Sequence, residues 1–243
     1  MNSRIILITG ANGSLGRAIA RTFLDEAPAN FVWLGVHRRR ERADEFVATN
    51  SGRSRVVTLD VTKPDAWQQA VQEILAAHQR LDALVNHAGM HDDALLAMMK
   101  PDSWRDVLSV NLDGVFHGCQ AVLPTMISQR SGRIINIASL SALLAPAGQT
   151  NYAAAKAGVL ALTQSLAKEV ARIGITVNAV CPGYVDTEAL GKMSDEDRRR
   201  TLERIPMRRF GQPEEVAAAV RFLACSEAGY LTGSVLKIDG GIL

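Results

Sequence analysis

Tyr152 and Lys156 stand four residues apart in the run Asn151-Tyr152-Ala153-Ala154-Ala155-Lys156-Ala157-Gly158. On an α-helix that spacing sets the two side chains on one face. An ammonium held beside a phenol favours the phenolate and lowers a pKa that is ordinarily about 10, which makes the tyrosine usable as an acid or base near neutrality. Ser139 closes the β-branched run Arg133 to Ala138 and adds a hydroxyl able to orient a carbonyl oxygen. Tyrosine and lysine at this spacing occur on many surface helices, so the combination with Ser139 is what points to chemistry.

A second set of residues has the types that phosphate binding needs. The apolar run Ile5 to Thr9 leads straight into Gly10-Ala11-Asn12-Gly13-Ser14-Leu15-Gly16 and then into helix-forming Arg17-Ala18-Ile19-Ala20. Strand, glycine turn and helix in that order let backbone N–H groups and the positive end of the helix dipole approach a pyrophosphate. A second strand of an NAD site usually ends in an acidic residue that accepts hydrogen bonds from the adenosine ribose. Here that place reads Val36-His37-Arg38-Arg39-Arg40. A guanidinium grips a 2′-phosphate with paired charge-assisted hydrogen bonds, so Arg38 or Arg39 points to NADPH; the same run also suits a basic start to the next helix.

Both sets must be positioned by a larger frame. Short strand-like runs fall at Ile5 to Thr9, Phe31 to Val36, Arg55 to Asp60, Ala83 to Asn86, Arg133 to Ala138, Thr176 to Cys181 and Val235 to Asp239. Helix-like stretches lie between them, near Leu15 to Ala27, Glu41 to Ala48, Pro64 to Ala77, Asp102 to Gln129, Asn151 to Arg172 and Pro213 to Ala224. Most strand runs are apolar on both faces, as parallel strands covered on both sides are. The alternation predicts an α/β fold: one doubly wound parallel sheet of about seven strands, Rossmann-like, with helices on both faces and ligands at the strands' carboxyl ends. We expect one domain over residues 1–243, a size that a single core can fill. The stretch 184–211 fits the alternation poorly and carries the charge run Ser194 to Arg200, which reads as a solvated helix face or as a substrate lid.

Composition narrows the partners. With 27 Lys plus Arg against 25 Asp plus Glu, the formal charge is +2, too small to draw the protein to nucleic acid or membrane. No run reaches the roughly 18 apolar residues of a membrane span, and the N-terminal run lacks the pattern of a signal peptide, so we expect a cytoplasmic enzyme of small ligands. Cys119, Cys181 and Cys225 are far apart and lack metal-ligand spacing. They read as buried free thiols, and no metal is expected.

Over nearly its whole length the chain resembles the short-chain dehydrogenase/reductase family, and within it the 3-oxoacyl-[acyl-carrier-protein] reductases. The motifs are Thr9-Gly10 to Gly16, Asp60-Val61, Asn86-His87-Ala88-Gly89, Asn111, Ser139, Tyr152 with Lys156, Pro182-Gly183 with Thr187, and Asp239-Gly240-Gly241. The resemblance implies that Tyr152 protonates a ketone oxygen held by Ser139 while NADPH gives hydride to its carbon. It implies that Lys156 binds the nicotinamide ribose and tunes Tyr152, and that Asn111 anchors a water leading to Lys156. Gly10, Asn12, Gly13, Ser14, Leu15 and Gly16 would cradle the cofactor's phosphates, and Asp60 and Val61 would contact adenine. Asn86, Ala88 and Gly89 would line the cleft, and Pro182, Gly183, Val185 and Thr187 would embrace the nicotinamide end. From the residues alone, Asn111 also reads as a polar residue bending its helix and Asp60 as a turn or cap.

Two positions depart from the family pattern. Ser14 stands where the middle glycine of the turn belongs, and a Cβ there narrows the backbone. His87 replaces a second asparagine and reads as a tolerated variant able to donate one hydrogen bond. The resemblance further implies an acyl carrier protein as partner and a homotetramer built through the two long helices. Arg130 matches a basic position for carrier docking and Arg172 lies one place from another. Leu140, Leu143, Leu144, Ala145, Tyr184 and the segment 190–193 would form an apolar pocket wall. The same pocket suits a ketoreductase of a polyketide or aryl-polyene type pathway, or a dehydrogenase of free small alcohols.

Overall fold

The computed structural model describes residues 3–188 and 190–243. Its frame is a seven-stranded, wholly parallel sheet in the order β3-β2-β1-β4-β5-β6-β7. The strands are β1 (Ile5–Thr9), β2 (Phe31–Val36), β3 (Ser54–Thr58), β4 (Ala83–Asn86), β5 (Gly132–Ile137), β6 (Ile175–Pro182) and β7 (Val235–Ile238). Successive side chains of a strand point to opposite faces, and both faces here are apolar. Leu7, Trp33, Leu84, Ile134 and Val177 face one core, while Ile6, Ile8, Leu34, Val85 and Ile135 face the other.

Helices α1 (Ser14–Glu26), α2 (Glu41–Thr49), α3 (Pro64–His78), α4 (Pro101–Leu108) and α5 (Gly114–Gln129) precede β6 together with α6 (Ser141–Leu144) and α7 (Thr150–Val170); α8 (Asp195–Arg204) and α9 (Pro213–Ala224) follow it. Trp67, Val115, Val122, Val159 and Leu166 pack α3, α5 and α7 on the first face. Leu15, Ile19, Phe23, Phe46, Val216 and Val220 pack α1, α2 and α9 on the second. The chain winds outward from β1 to β3, then returns to start β4 on the other side of β1. That reversal opens a crevice at the carboxyl ends of β1 and β4.

Several boundaries differ from the sequence reading for local reasons. β3 ends at Thr58 rather than Asp60, because Asp60 Oδ1 accepts from Thr62 N at 3.0 Å and Thr62 Oγ1 at 2.8 Å and turns the chain. The stretch expected as one helix from Asp102 to Gln129 is broken by a π-turn over Ser109–Asp113. The charge run forms α8, whose Ser194 side chain accepts from Asp197 N at 3.2 Å. Of the expected lid, Ala189 lies outside the described residues. Cys119 and Cys181 are buried, but Cys225 is half-exposed, because it lies just past the end of α9 where that helix leaves the core. No helix among the described residues is long and apolar enough to cross a membrane.

Candidate active site

The glycine turn lies at the crevice. Gly10 has φ +66°, and a Cβ there would lie 2.8 Å from the Cα of Ala88; a Cβ on Gly16 would lie 2.7 Å from the Cα of Ala11. Those two positions require glycine. Gly13 does not: its φ is −75°, and a Cβ would meet nothing closer than 3.7 Å. Ser14 opens α1 in ordinary helical backbone, so the narrowing expected from its Cβ costs the turn nothing. Leu15 is buried against the sheet, and Asn12 Oδ1 accepts from Ala43 N at 3.2 Å, tying the turn to the start of α2.

The turn fits a phosphate. The first turn of α1 has neither an acidic residue nor a side-chain cap, so its positive end is open. Ser14 Oγ is buried and lacks a partner in good hydrogen-bond geometry among the described residues, with the Glu188 carboxylate as its neighbour. Glu188 also bridges Arg17, at 3.3 Å, and Arg42. A carboxylate is thus held at the place that suits an anion. Beyond β2, Arg40 turns away to Thr58 Oγ1 and Asp44, whereas Arg38 and Arg39 are exposed at the edge of the crevice.

Thr9 fastens the turn that follows β4. Its Oγ1 accepts from both His87 N and Ala88 N at 2.9 Å. Gly89 must lack a side chain, since a Cβ would lie 2.7 Å from Asn111 Oδ1 and 3.8 Å from Lys156 Nζ. The Asn86 side chain points into the protein, donating to Asn136 Oδ1 at 2.9 Å; Asn136 in turn donates to Thr163 Oγ1 at 2.9 Å. It braces the sheet against α7. His87 Nδ1 is buried without a partner among the described residues, so the hydrogen bond expected of this imidazole is not made there. Burial, with Lys156 adding a smaller push, lowers the His87 pKa to about 4 and keeps the ring neutral.

Asp60, besides turning the chain, lies 3.6 Å from His37 Nε2. Val61 is buried against Gly114 of α5. Beyond β6, Gly183 N donates to Ile238 O at 2.9 Å, and a Cβ on Gly183 would lie 2.9 Å from the Cα of Asp239. Pro182 is buried, Val185 bridges to Gly211, and the Thr187 carbonyl accepts from Leu190 N. These residues start, from the same carboxyl edge, the stretch expected as a lid.

Ser139, Tyr152 and Lys156 meet beside the crevice. Tyr152 is 7% exposed and Lys156 3%. Lys156 Nζ lies 5.7 Å from the centre of the Tyr152 ring and donates to Ile137 O at 2.8 Å. Ser139 Oγ accepts from Ser141 N at 3.1 Å and lies close enough to the Tyr152 phenol to lower its pKa. Burial pushes the Tyr152 phenol up to about 12, against a lowering by the Ser139 hydroxyl, and pulls Lys156 down to about 8. The expected lowering of the Tyr152 pKa is therefore reversed: loss of solvation outweighs the Ser139 hydroxyl, with Asp93 and Cys181 adding to the rise, while the Lys156 ammonium is desolvated and committed to the Ile137 carbonyl. At neutral pH this phenol keeps its proton and is ready to give it.

Asn111 is fully buried in the π-turn. Its Nδ2 donates to Met90 O at 2.8 Å and Val107 O at 2.9 Å, and its Oδ1 accepts from Met90 N at 3.3 Å. The widened turn lets this side chain reach the carbonyl of its own helix and the loop after Gly89 together.

Arg130 and Arg172 do not stand at the cleft mouth. Arg130 precedes β5 and Arg172 precedes β6, at the amino ends of the strands. From Tyr152 to Arg172 the chain runs the length of α7, roughly 30 Å. Two features of the site escaped the sequence reading. Leu95, Leu96, Met98, Leu143 and Leu144 are exposed apolar side chains on two segments that Ala94 N ties together by donating to Gly148 O, and the His91 ring lies on Tyr152. Residues some 60 positions apart meet there (91 and 152), and no local pattern announces it.

The family model described as enoyl-(acyl carrier protein) reductase matches residues 10–243. The chain is similar to the 3-oxoacyl-[acyl-carrier-protein] reductase FabG of Thermotoga maritima, 41% identical over 246 residues covering 100% of this chain and 99% of that protein. It is 39% identical to the protein of that name from Vibrio cholerae over 242 residues, 100% of this chain and 98% of the other. The Salmonella typhimurium protein of that name is 39% identical over 239 residues, 98% and 97% of the two chains.

Proposed function

This chain belongs to the short-chain dehydrogenase/reductase family, oxidoreductases of the CH–OH/C=O pair that use a nicotinamide cofactor, and from that premise we propose that it reduces a 3-oxoacyl thioester on acyl carrier protein to the 3-hydroxyacyl form with NADPH. The observation that carries this reading is the buried Tyr152 beside Ser139 and Lys156 at the carboxyl edge, with the exposed Leu95, Leu96, Met98, Leu143 and Leu144 suited to an acyl chain.

In this reading Ser139 and Tyr152 hold the keto oxygen, and Tyr152 gives it a proton. Bound NADPH supplies hydride to the carbonyl carbon. Lys156 lies beneath the phenol and steadies the charge left on it, while Asn111 orders the route by which that proton is replaced. Ser14 Oγ, the N-terminus of α1 and the strict glycines at 10 and 16 would hold the pyrophosphate where the Glu188 carboxylate now lies, and Arg38 and Arg39 would hold a 2′-phosphate. Asp60 and Val61 would border adenine, Ala88 and Gly89 the cleft floor, and Thr187 the nicotinamide end. Asn86 would act by bracing that floor. The same reading has the enzyme cytoplasmic, one domain, and tetrameric through the outer face of α5, where Phe116 and Ile127 are exposed.

The test is the initial rate of NADPH oxidation with a 3-oxoacyl group on acyl carrier protein and on a short free thioester, for wild type and Tyr152→Phe. We expect turnover, preference for the carrier, and a loss of about 10²- to 10⁴-fold in the variant. NADPH binding without reaction of either thioester would overturn the substrate. Equal rates with free ketones would favour a dehydrogenase of small alcohols instead.

A further inference from the structure

The loop after Gly89 is fixed residue by residue. Asn111 holds Met90 at both N and O, and Asn151 Nδ2 donates to Asp92 O at 2.9 Å. Gln149 Nε2 donates to Asp93 Oδ2 at 2.7 Å, and Ala94 N donates to Gly148 O at 2.9 Å. Gln149 Oε1 in turn accepts from Ser141 Oγ at 2.8 Å, and Ser141 N donates to Ser139 Oγ. His91 is the residue between these ties. Its ring lies on the Tyr152 ring with centroids 3.8 Å apart and planes inclined by 34°, closer than the roughly 4.5–7 Å of most aromatic pairs. Its Nδ1 lies 3.9 Å from Asp93 Oδ1, and the side chain is 56% exposed.

We propose that His91 is a positioning residue for Tyr152, its stacked imidazole fixing the plane of the phenol between Ser139 and Lys156. A polar strap of Asp93, Gln149 and Ser141 links the loop that bears His91 to Ser139, so both partners of the phenol are set by one network. Burial, with Lys156 helping and Asp93 opposing, lowers the His91 pKa and favours the neutral ring that stacks. A proton transfer to a held oxygen loses about a hundredfold for a misplacement near 1 Å, which is the order of freedom that removing one covering ring would give the phenol.

The inference rests on Tyr152 as proton donor, and its test separates the two. With three tyrosines in the chain, NMR of tyrosine-labelled protein reads Tyr152 directly. His91→Ala should shift the Tyr152 signals while leaving Tyr184 and Tyr230 in place, and lower kcat about 10- to 100-fold at unchanged KM for NADPH. His91→Phe, which keeps a ring but cannot pair with Asp93, should return kcat to within about threefold of wild type. Unchanged kcat in His91→Ala, or His91→Phe as slow as His91→Ala, overturns the positioning role. Wild-type turnover by Tyr152→Phe overturns the proton-donor reading instead, and the inference falls with it.

Discussion

Replacing His87 by asparagine should remove a defined part of the protein's acid sensitivity. The residue keeps some exposed surface, but its Nδ1 is sealed off without a partner, and burial lowers its pKa from 6.5 to about 4. Between those values the unfolded chain binds a proton that the folded one refuses, so folding stability falls as pH drops through about 6.5 toward 4. Lowering the pKa from 6.5 to about 4 corresponds to about 3 kcal/mol, most of it lost by about pH 4.5. Asparagine does not titrate and removes that term. Urea unfolding of cofactor-free wild type and His87→Asn at about pH 7.5 and about pH 4.5 gives the difference directly. Carboxylates such as Glu215, held at about 2 by Arg209, also contribute acid lability, but equally in both proteins. The reasoning fails if the two proteins lose the same stability between the two pH values.

Three other perturbations follow from single contacts. Gly10→Ala should abolish NADPH binding in a fluorescence titration, because its Cβ meets the Ala88 backbone at φ +66°, whereas Gly13→Ala should bind within about threefold of wild type. Arg38→Glu with Arg39→Glu should raise the Kd for NADPH about 10- to 100-fold and leave NADH nearly unchanged, measured by the same titration. Asn111→Leu strands the Met90 and Val107 backbone groups and should cost about 2–4 kcal/mol in denaturant unfolding.

Much of the fold was legible because its determinants are local or periodic. Runs such as Ile5–Thr9, apolar at successive positions, can only be buried on both faces, and that requires a parallel sheet with helices on either side. The glycine turn and the pair Tyr152 and Lys156 were legible for the same reason, since each is a spacing within one element. The meeting of Ser139 with Tyr152 and Lys156 followed from a family pattern, not from spacing. Burial, strain and distance in space were decided by the tertiary structure. Ser14 is harmless because the turn gives it ordinary helical backbone, and Gly10 is strict because Ala88, in the turn after β4, crowds it. Arg130 and Arg172 proved to lie at the far ends of α5 and α7 because the length of a helix, not nearness to a motif, sets where its end falls. The pKa of Tyr152 reversed because the cost of removing a phenolate from water is set by every group packed around it, His91 included, and no spacing in one dimension encodes that sum.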